Sequence, residues 1–120
     1  MLRQMLRAKL HRATVTEADL SYEGSLTIDK DLMDAVGIVP FERVHVYNAN
    51  NGERFDTYAI VGAPGGGVIG LNGAAARKGM VGDIIIICTY GLSTEDEVPG
   101  YHPIIFLLDE HNAIKETLSK

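Results

Sequence analysis

Leu6, Ala8 and Leu10 alternate with Arg7, Lys9 and His11, and this period of two predicts a half-buried strand near the start of the chain. A helix on Leu2, Met5, Leu6 and Leu10 competes with it, but the following Ala13-Thr14-Val15-Thr16 favours strand because β-branched side chains suit a pleated surface. Ser25–Ile28 predicts a second strand, ending at Asp29, a good helix N-cap. Leu32, Met33 and Val36 then recur at helical spacing, with Gly37 placed to end the helix and Pro40 just beyond. Val44 and Val46 alternate with Arg43, His45 and Tyr47; Asn51-Gly52 predicts a type I′ hairpin turn, from which Glu53–Val61 returns. Pro64-Gly65-Gly66-Gly67 is a turn before a short strand at Val68–Leu71, whereas Ala74–Ala76 alone is too short to assign. Ile84–Tyr90 is apolar at nearly every position, as in a strand buried on both faces. Ser93–Val98 reads as one acidic helical turn, Ile104–Leu108 as a strand, and Ala113–Leu118 as an edge strand or a short helix. Many short strands, one or two short helices and glycine-rich turns predict a mainly β fold closed into a small barrel.

Composition narrows the function classes. The 120 residues are enough for one domain with its own core, and 46% hydrophobic content excludes disorder. Sixteen acidic against eleven basic residues give a net charge of −5, a poor balance for neutralising nucleic-acid phosphates. The longest wholly apolar run, Ile84–Cys88, is far short of a membrane-spanning helix, and the start of the chain lacks the apolar block of a secretory signal. The expectation is a cytoplasmic protein with neither nucleic acid nor membrane as partner. Cys88 is the sole cysteine, which excludes an intrachain disulfide and a thiolate zinc site. His11, His45, His102 and His111 are isolated from one another, so no metal site is expected.

Three local features could carry chemistry. In Tyr22-Glu23-Gly24-Ser25 a hydroxyl follows a glycine, where it could attack the preceding carbonyl because glycine allows unusual backbone geometry; taken alone, the pair is also an ordinary surface turn. Arg54 and Tyr58, four apart on a strand, share one face, so a guanidinium suited to carboxylates lies near a phenol able to give a proton. Taken alone, the pair reads more simply as an exposed strand face with a half-buried tyrosine. Asn72-Gly73-Ala74-Ala75-Ala76 has side chains small enough to let a ligand reach backbone N–H groups, or simply to pack closely.

Taken together with Lys9-Leu10-His11-Arg12-Ala13 and Asn51-Gly52-Glu53-Arg54-Phe55-Asp56-Thr57-Tyr58, these motifs occur in an order and spacing that resembles the pyruvoyl-dependent aspartate 1-decarboxylases, over residues 1 to about 110. The resemblance implies a six-stranded double-psi β-barrel, a homotetramer with sites between subunits, and an inactive precursor. It implies that Ser25 attacks the Gly24 carbonyl, turning an amide into an ester. Elimination and hydrolysis would then leave a β-chain of residues 1–24 and an α-chain of residues 25–120 that begins with a pyruvoyl group. Thr57 and Asn72 are the candidates to support that processing. The pyruvoyl ketone would form a Schiff base with the amine of L-aspartate and act as electron sink while CO2 leaves, giving β-alanine for pantothenate and coenzyme A synthesis.

By the same resemblance Tyr58 is the proton donor, Arg54 and Lys9 are the cations for the substrate carboxylates, and Thr57 with Gly73, Ala74 and Ala75 completes substrate binding. His11 is a candidate to assist processing or to orient Tyr58, or simply a polar residue on an outer face. Some relatives also need an accessory maturation protein. Thr57 faces away from Arg54 and Tyr58 on a regular strand, so either a bulge or a subunit interface must reconcile them. Two other readings stand beside this one: a non-catalytic β-barrel binding module, and the same enzyme acting on another acidic amino acid such as glutamate.

Overall fold

Nine strands and one short α-helix make up the computed structural model, which describes residues 1–119; Lys120, the last residue of the expected larger chain, lies outside the described residues. The strands are β1 (Arg3–Thr14), β2 (Glu17–Asp19), β3 (Ser25–Asp29), β4 (Arg43–Asn48), β5 (Arg54–Gly62), β6 (Ile69–Asn72), β7 (Ile84–Ser93), β8 (Ile104–Leu108) and β9 (Ile114–Thr117), with helix α1 (Lys30–Val36) between β3 and β4. Their order in the sheet is β2-β6-β3-β5-β4-β7-β1-β8-β9. Because β2 continues directly from β1, its parallel pairing with β6 closes the sheet on itself. Thr16, between them, seals the join: its N–H donates to the Ile69 carbonyl at 2.8 Å and its hydroxyl accepts from the Ile69 N–H at 2.9 Å. The ring β1-β7-β4-β5-β3-β6 therefore has six strands, as expected, while β8 and β9 extend it on one side.

Alternation in the sequence becomes the inside and outside of this ring. Leu10, Leu26, Ile28, Val44, Val46, Ile69, Leu71, Ile85 and Ile87 are all fully buried and form its filling. Helix α1 adds Leu32, Met33 and Val36 to the same cluster. Its ends form as the sequence predicts: the Asp29 carboxylate accepts from the Asp31 N–H at 2.8 Å, and Gly37 closes the helix in the left-handed conformation.

Two readings need correction. The Asn51-Gly52 turn is not type I′, because Gly52 has a positive φ and Asn51 does not. The Asn48 side chain accepts from the N–H groups of Asn50 and Asn51, and this widens the loop to residues 49–52. A two-residue turn would have set Tyr47 opposite Asp56; the wider loop sets it opposite Arg54. Strand β7 is not buried on both faces, since Ile84, Ile86 and Tyr90 on its outward side are only half-buried. Of the open choices, β1 and β9 are strands, the acidic segment is a 3-10 turn at Glu95–Glu97, and Gly73–Arg77 forms another.

The last segment is tied in by one residue whose role the sequence did not reveal. Asn112, buried and at a φ of 62°, donates to the carbonyls of Thr14 and Gly67 and accepts from the Thr14 N–H. Asp29 receives the Gly65 and Gly67 N–H groups on the other side of that turn.

Candidate active site

Ser25 begins β3 and is 1% exposed, although the residues before it are open to solvent. Its hydroxyl accepts from Nδ2 of Asn72 at 3.0 Å and lies 3.4 Å from the Glu23 carbonyl. Antiparallel pairing of β3 with β6 sets Ser25 opposite Asn72, and the same amide reaches the Thr27 hydroxyl at 2.8 Å. Asn72 thus holds the hydroxyl that the sequence marks as nucleophile, rather than pointing at a carbonyl.

Gly73 follows at a φ of 63°, and a Cβ on it would meet the Gly24 nitrogen at 2.7 Å, the Tyr22 carbonyl oxygen at 2.7 Å and the Gly24 Cα at 2.8 Å. Only glycine fits there. A cavity of about 210 Å³ opens beside this contact, lined by Gly24, Phe55, Asp56, Thr57, Ala74, Ala75 and Lys78. Gly24, Thr57, Ala74 and Ala75 were singled out from the sequence; Phe55, Asp56 and Lys78 were not. The Lys78 ammonium is held by Glu53 at 2.9 Å. A second depression, of about 330 Å³, reaches Asn72 from the side of Tyr22, Thr27 and Ile60.

The remaining candidates occupy the outer face of the barrel. Leu26 and Ala59 are paired, buried and core-facing, so the preceding pair, Ser25 and Tyr58, lies level and faces outward. Tyr58 rests its ring against Phe41, with 6.2 Å between centroids. Thr57 faces the core side beside Phe55, opposite Val44, and the β4–β5 register runs without a shift. No bulge reconciles Thr57 with Arg54 and Tyr58 within the chain.

Lys9 lies level with Cys88, His45 and Asp56 across β7, β4 and β5. Three strand spacings of about 4.8 Å put it roughly 14 Å along the sheet from β5. The charges of Lys9 and Arg54 nevertheless both act on the Cys88 thiol between them, and neither cation is in an ion pair among the described residues. His11 is on β1 as well, three strands along the sheet from β5, the strand of Tyr58. Burial, and then the charges of Lys9 and Arg12, hold the His11 imidazole below its ordinary pKa, and its Nδ1 has no partner among the described residues.

Arg54 stacks on Tyr47, its guanidinium carbon 3.9 Å from the ring centroid. This contact escaped sequence reading because the type I′ turn put Tyr47 elsewhere. Cys88 is buried, and desolvation raises its thiol pKa, consistent with a packing role. No cluster of metal-ligating side chains occurs among the described residues, and no helix among them is long and apolar enough to cross a membrane.

A family model described as aspartate decarboxylase matches residues 1–115. The aspartate 1-decarboxylase of Desulfotalea psychrophila is 64% identical over 116 residues, covering 97% of this chain and 98% of its own. That of Ralstonia pickettii is 60% identical over 120 residues, covering 98% and 100%, and that of Bordetella pertussis 60% identical over 116 residues, covering 97% and 95%. With a glycine-serine bond set between Asn72 and Gly73 at the mouth of a cavity, and likeness extending over nearly the whole length, the chain belongs to the aspartate decarboxylase family.

Proposed function

We propose that this protein decarboxylates L-aspartate to β-alanine and CO2, the β-alanine serving pantothenate synthesis, after cleaving itself between Gly24 and Ser25. The observation that carries the cleavage is the buried Ser25 hydroxyl, held by Asn72 beside a glycine peptide that Gly73 packs against without a Cβ. Attack by the hydroxyl oxygen on the Gly24 carbonyl moves the acyl group from nitrogen to oxygen. An ester is a far better leaving group than an amide, so loss of the Ser25 α-proton then releases the Gly24 carboxylate and leaves a dehydroalanine. Water replaces its nitrogen, which departs as ammonia, and residues 25–120 begin with a pyruvoyl group. The cleavage needs a donor for the oxyanion formed on attack. Thr57 is the candidate: continuing the β3–β5 register two residues back sets it level with Gly24, and both line the cavity.

The site suits that group: small side chains at Gly73, Ala74 and Ala75 leave room around the new terminus, and the cavity wall is largely apolar. A pyruvoyl ketone there supplies an electrophile for the substrate amine and a sink for the electron pair left by CO2. The chain's own residues do the rest. Backbone groups of Gly73, Ala74 and Ala75, with Thr57, hold the substrate. Tyr58 gives a proton to the carbon that carried the lost carboxylate. Arg54 and Lys9 bind carboxylates, Arg54 as a bidentate donor.

Those two cations and Tyr58 are on the outer barrel face, whereas the cavity's own cation, Lys78, is engaged by Glu53. This separation supports a homo-oligomer, a tetramer by family likeness, in which one subunit's outer face completes another's cavity. An accessory maturation protein is compatible with the open approach to residues 21–24.

Intact-mass measurement under denaturing conditions tests the reading. Two species divided at Gly24/Ser25, the larger lighter by one ammonia than a serine-initiated chain, together with CO2 release from aspartate, are the expected result. A chain that stays whole after prolonged warming and releases no CO2 would mean a barrel with another task. Ser25→Ala should yield only the whole, inactive chain.

A further inference from the structure

The outer face holds an aromatic pair that the reaction described above leaves unused. Tyr47 on β4 and Tyr90 on β7 bring their hydroxyl oxygens to 2.7 Å, and either can donate. Tyr90 is braced in turn by an edge-on contact with His45, with 5.0 Å between centroids and 85° between planes. The other side of the Tyr47 ring carries the Arg54 guanidinium.

Arg54 itself has an unusual setting for an exposed arginine. Asp56, two residues along β5 and on the same face, is taken by Arg43 at 2.7 Å. The guanidinium is thus denied its obvious intramolecular partner, while its plane is set by a ring pinned at the far end. A long side chain held only by cation–π contact would otherwise sample many rotamers, and ordering it on binding would weaken affinity.

We propose that Tyr90 is a positioning residue for substrate recognition, acting through its hydroxyl contact with Tyr47 to fix the aromatic platform that presents Arg54 to a substrate carboxylate. The inference rests on the reading of Arg54 as a carboxylate-binding cation. The Tyr47 bond and burial both push the Tyr90 phenol pKa upward, which favours its neutral, hydrogen-bonding form. Hydroxyl-to-hydroxyl contact, rather than ring packing, is what the role requires.

Steady-state kinetics on fully cleaved enzyme provide the test, with cleavage of each variant verified first by mass. Tyr90→Phe, which keeps the ring, should raise KM for aspartate about threefold to tenfold, the usual worth of one hydrogen bond, with a much smaller change in kcat. Tyr47→Phe should do the same, and the double variant should be no worse than either single one, because both remove the same bond. Arg54→Lys, measured alongside, should raise KM further. If Arg54→Lys raises KM while both Phe variants leave it unaltered, the Tyr90 inference is overturned and the role of Arg54 stands. If Arg54→Lys leaves KM unaltered, the role of Arg54 fails and the inference with it. Additive Phe effects would also overturn it, since independent packing losses add. Should Tyr90→Phe not fold, Tyr47→Phe decides the matter by the same KM criterion.

Discussion

Gly73 and Gly24 are packed so closely that a methyl group on Gly73 would stand 2.7 Å from the Gly24 nitrogen. The contact joins the start of the Gly73–Arg77 turn to the peptide before β3, and it explains why a glycine follows Asn72. The left-handed φ of 63° at Gly73 aims that backbone at the glycine-serine bond.

Gly73→Ala should therefore impair maturation more than folding. Strain and displacement of the residue 22–24 backbone should cost about 1–3 kcal/mol and slow cleavage by at least roughly tenfold. A time course of the uncleaved fraction by mass reads the effect, and thermal unfolding gives the stability. Cleavage at the wild-type rate would show that this contact does not hold the scissile peptide.

Asn72→Ala should slow cleavage too, through the nucleophile rather than the peptide. It removes the donor shared by the Ser25 and Thr27 hydroxyls, at about 1–2 kcal/mol of stability. Thr27→Val, which keeps Asn72 on Ser25, should be much milder in the same cleavage assay.

Tyr58→Phe separates processing from turnover. On the proposed mechanism the phenol serves turnover and not the rearrangement at Gly24–Ser25, so two chains should still form. Loss of the proton donor should lower kcat by roughly 100-fold or more. Decarboxylation at the wild-type rate would assign proton donation to another group.

Acid stability should depend on Asp29. Burial opposes ionisation of its carboxyl, but the N–H groups of Gly67, Asp31, Gly65 and Leu32 outweigh burial and hold its pKa below 3.8. The unfolded carboxyl titrates higher, so the unfolded state takes up the proton first as pH falls. The stabilisation is therefore present above the unfolded value and is lost as pH drops through the depressed folded one. Asp29→Asn should unfold at lower temperature near neutrality and lose less stability between pH 5 and pH 3 than the wild type, as read by thermal melts across that range.

Strand periodicity, the Asp29-to-Gly37 helix with both its ends, and the small-residue segment after Asn72 were legible because each depends on residues within a few positions of one another. Burial alternation at Ala8 and Leu10, and at Val44 and Val46, follows from side chains pointing to opposite faces in turn. The family likeness was legible for a related reason, since motif residues keep their identities and spacing wherever the chain later carries them.

What the tertiary structure decided was which of these residues meet. The hairpin register turned on Asn48 capping a wider loop, a side-chain choice that pattern cannot show, and it moved Tyr47 from Asp56 to Arg54. The closure of β2 on β6, the bond from Asn72 to Ser25 and the tie of Asn112 to Thr14 and Gly67 all join segments dozens of residues apart. The chain's own pattern determined the elements and the chemistry available to them. Their partnership was fixed only when the barrel closed, because contacts between distant segments are chosen jointly by packing and hydrogen-bond satisfaction across the whole core, which no local run of residues contains.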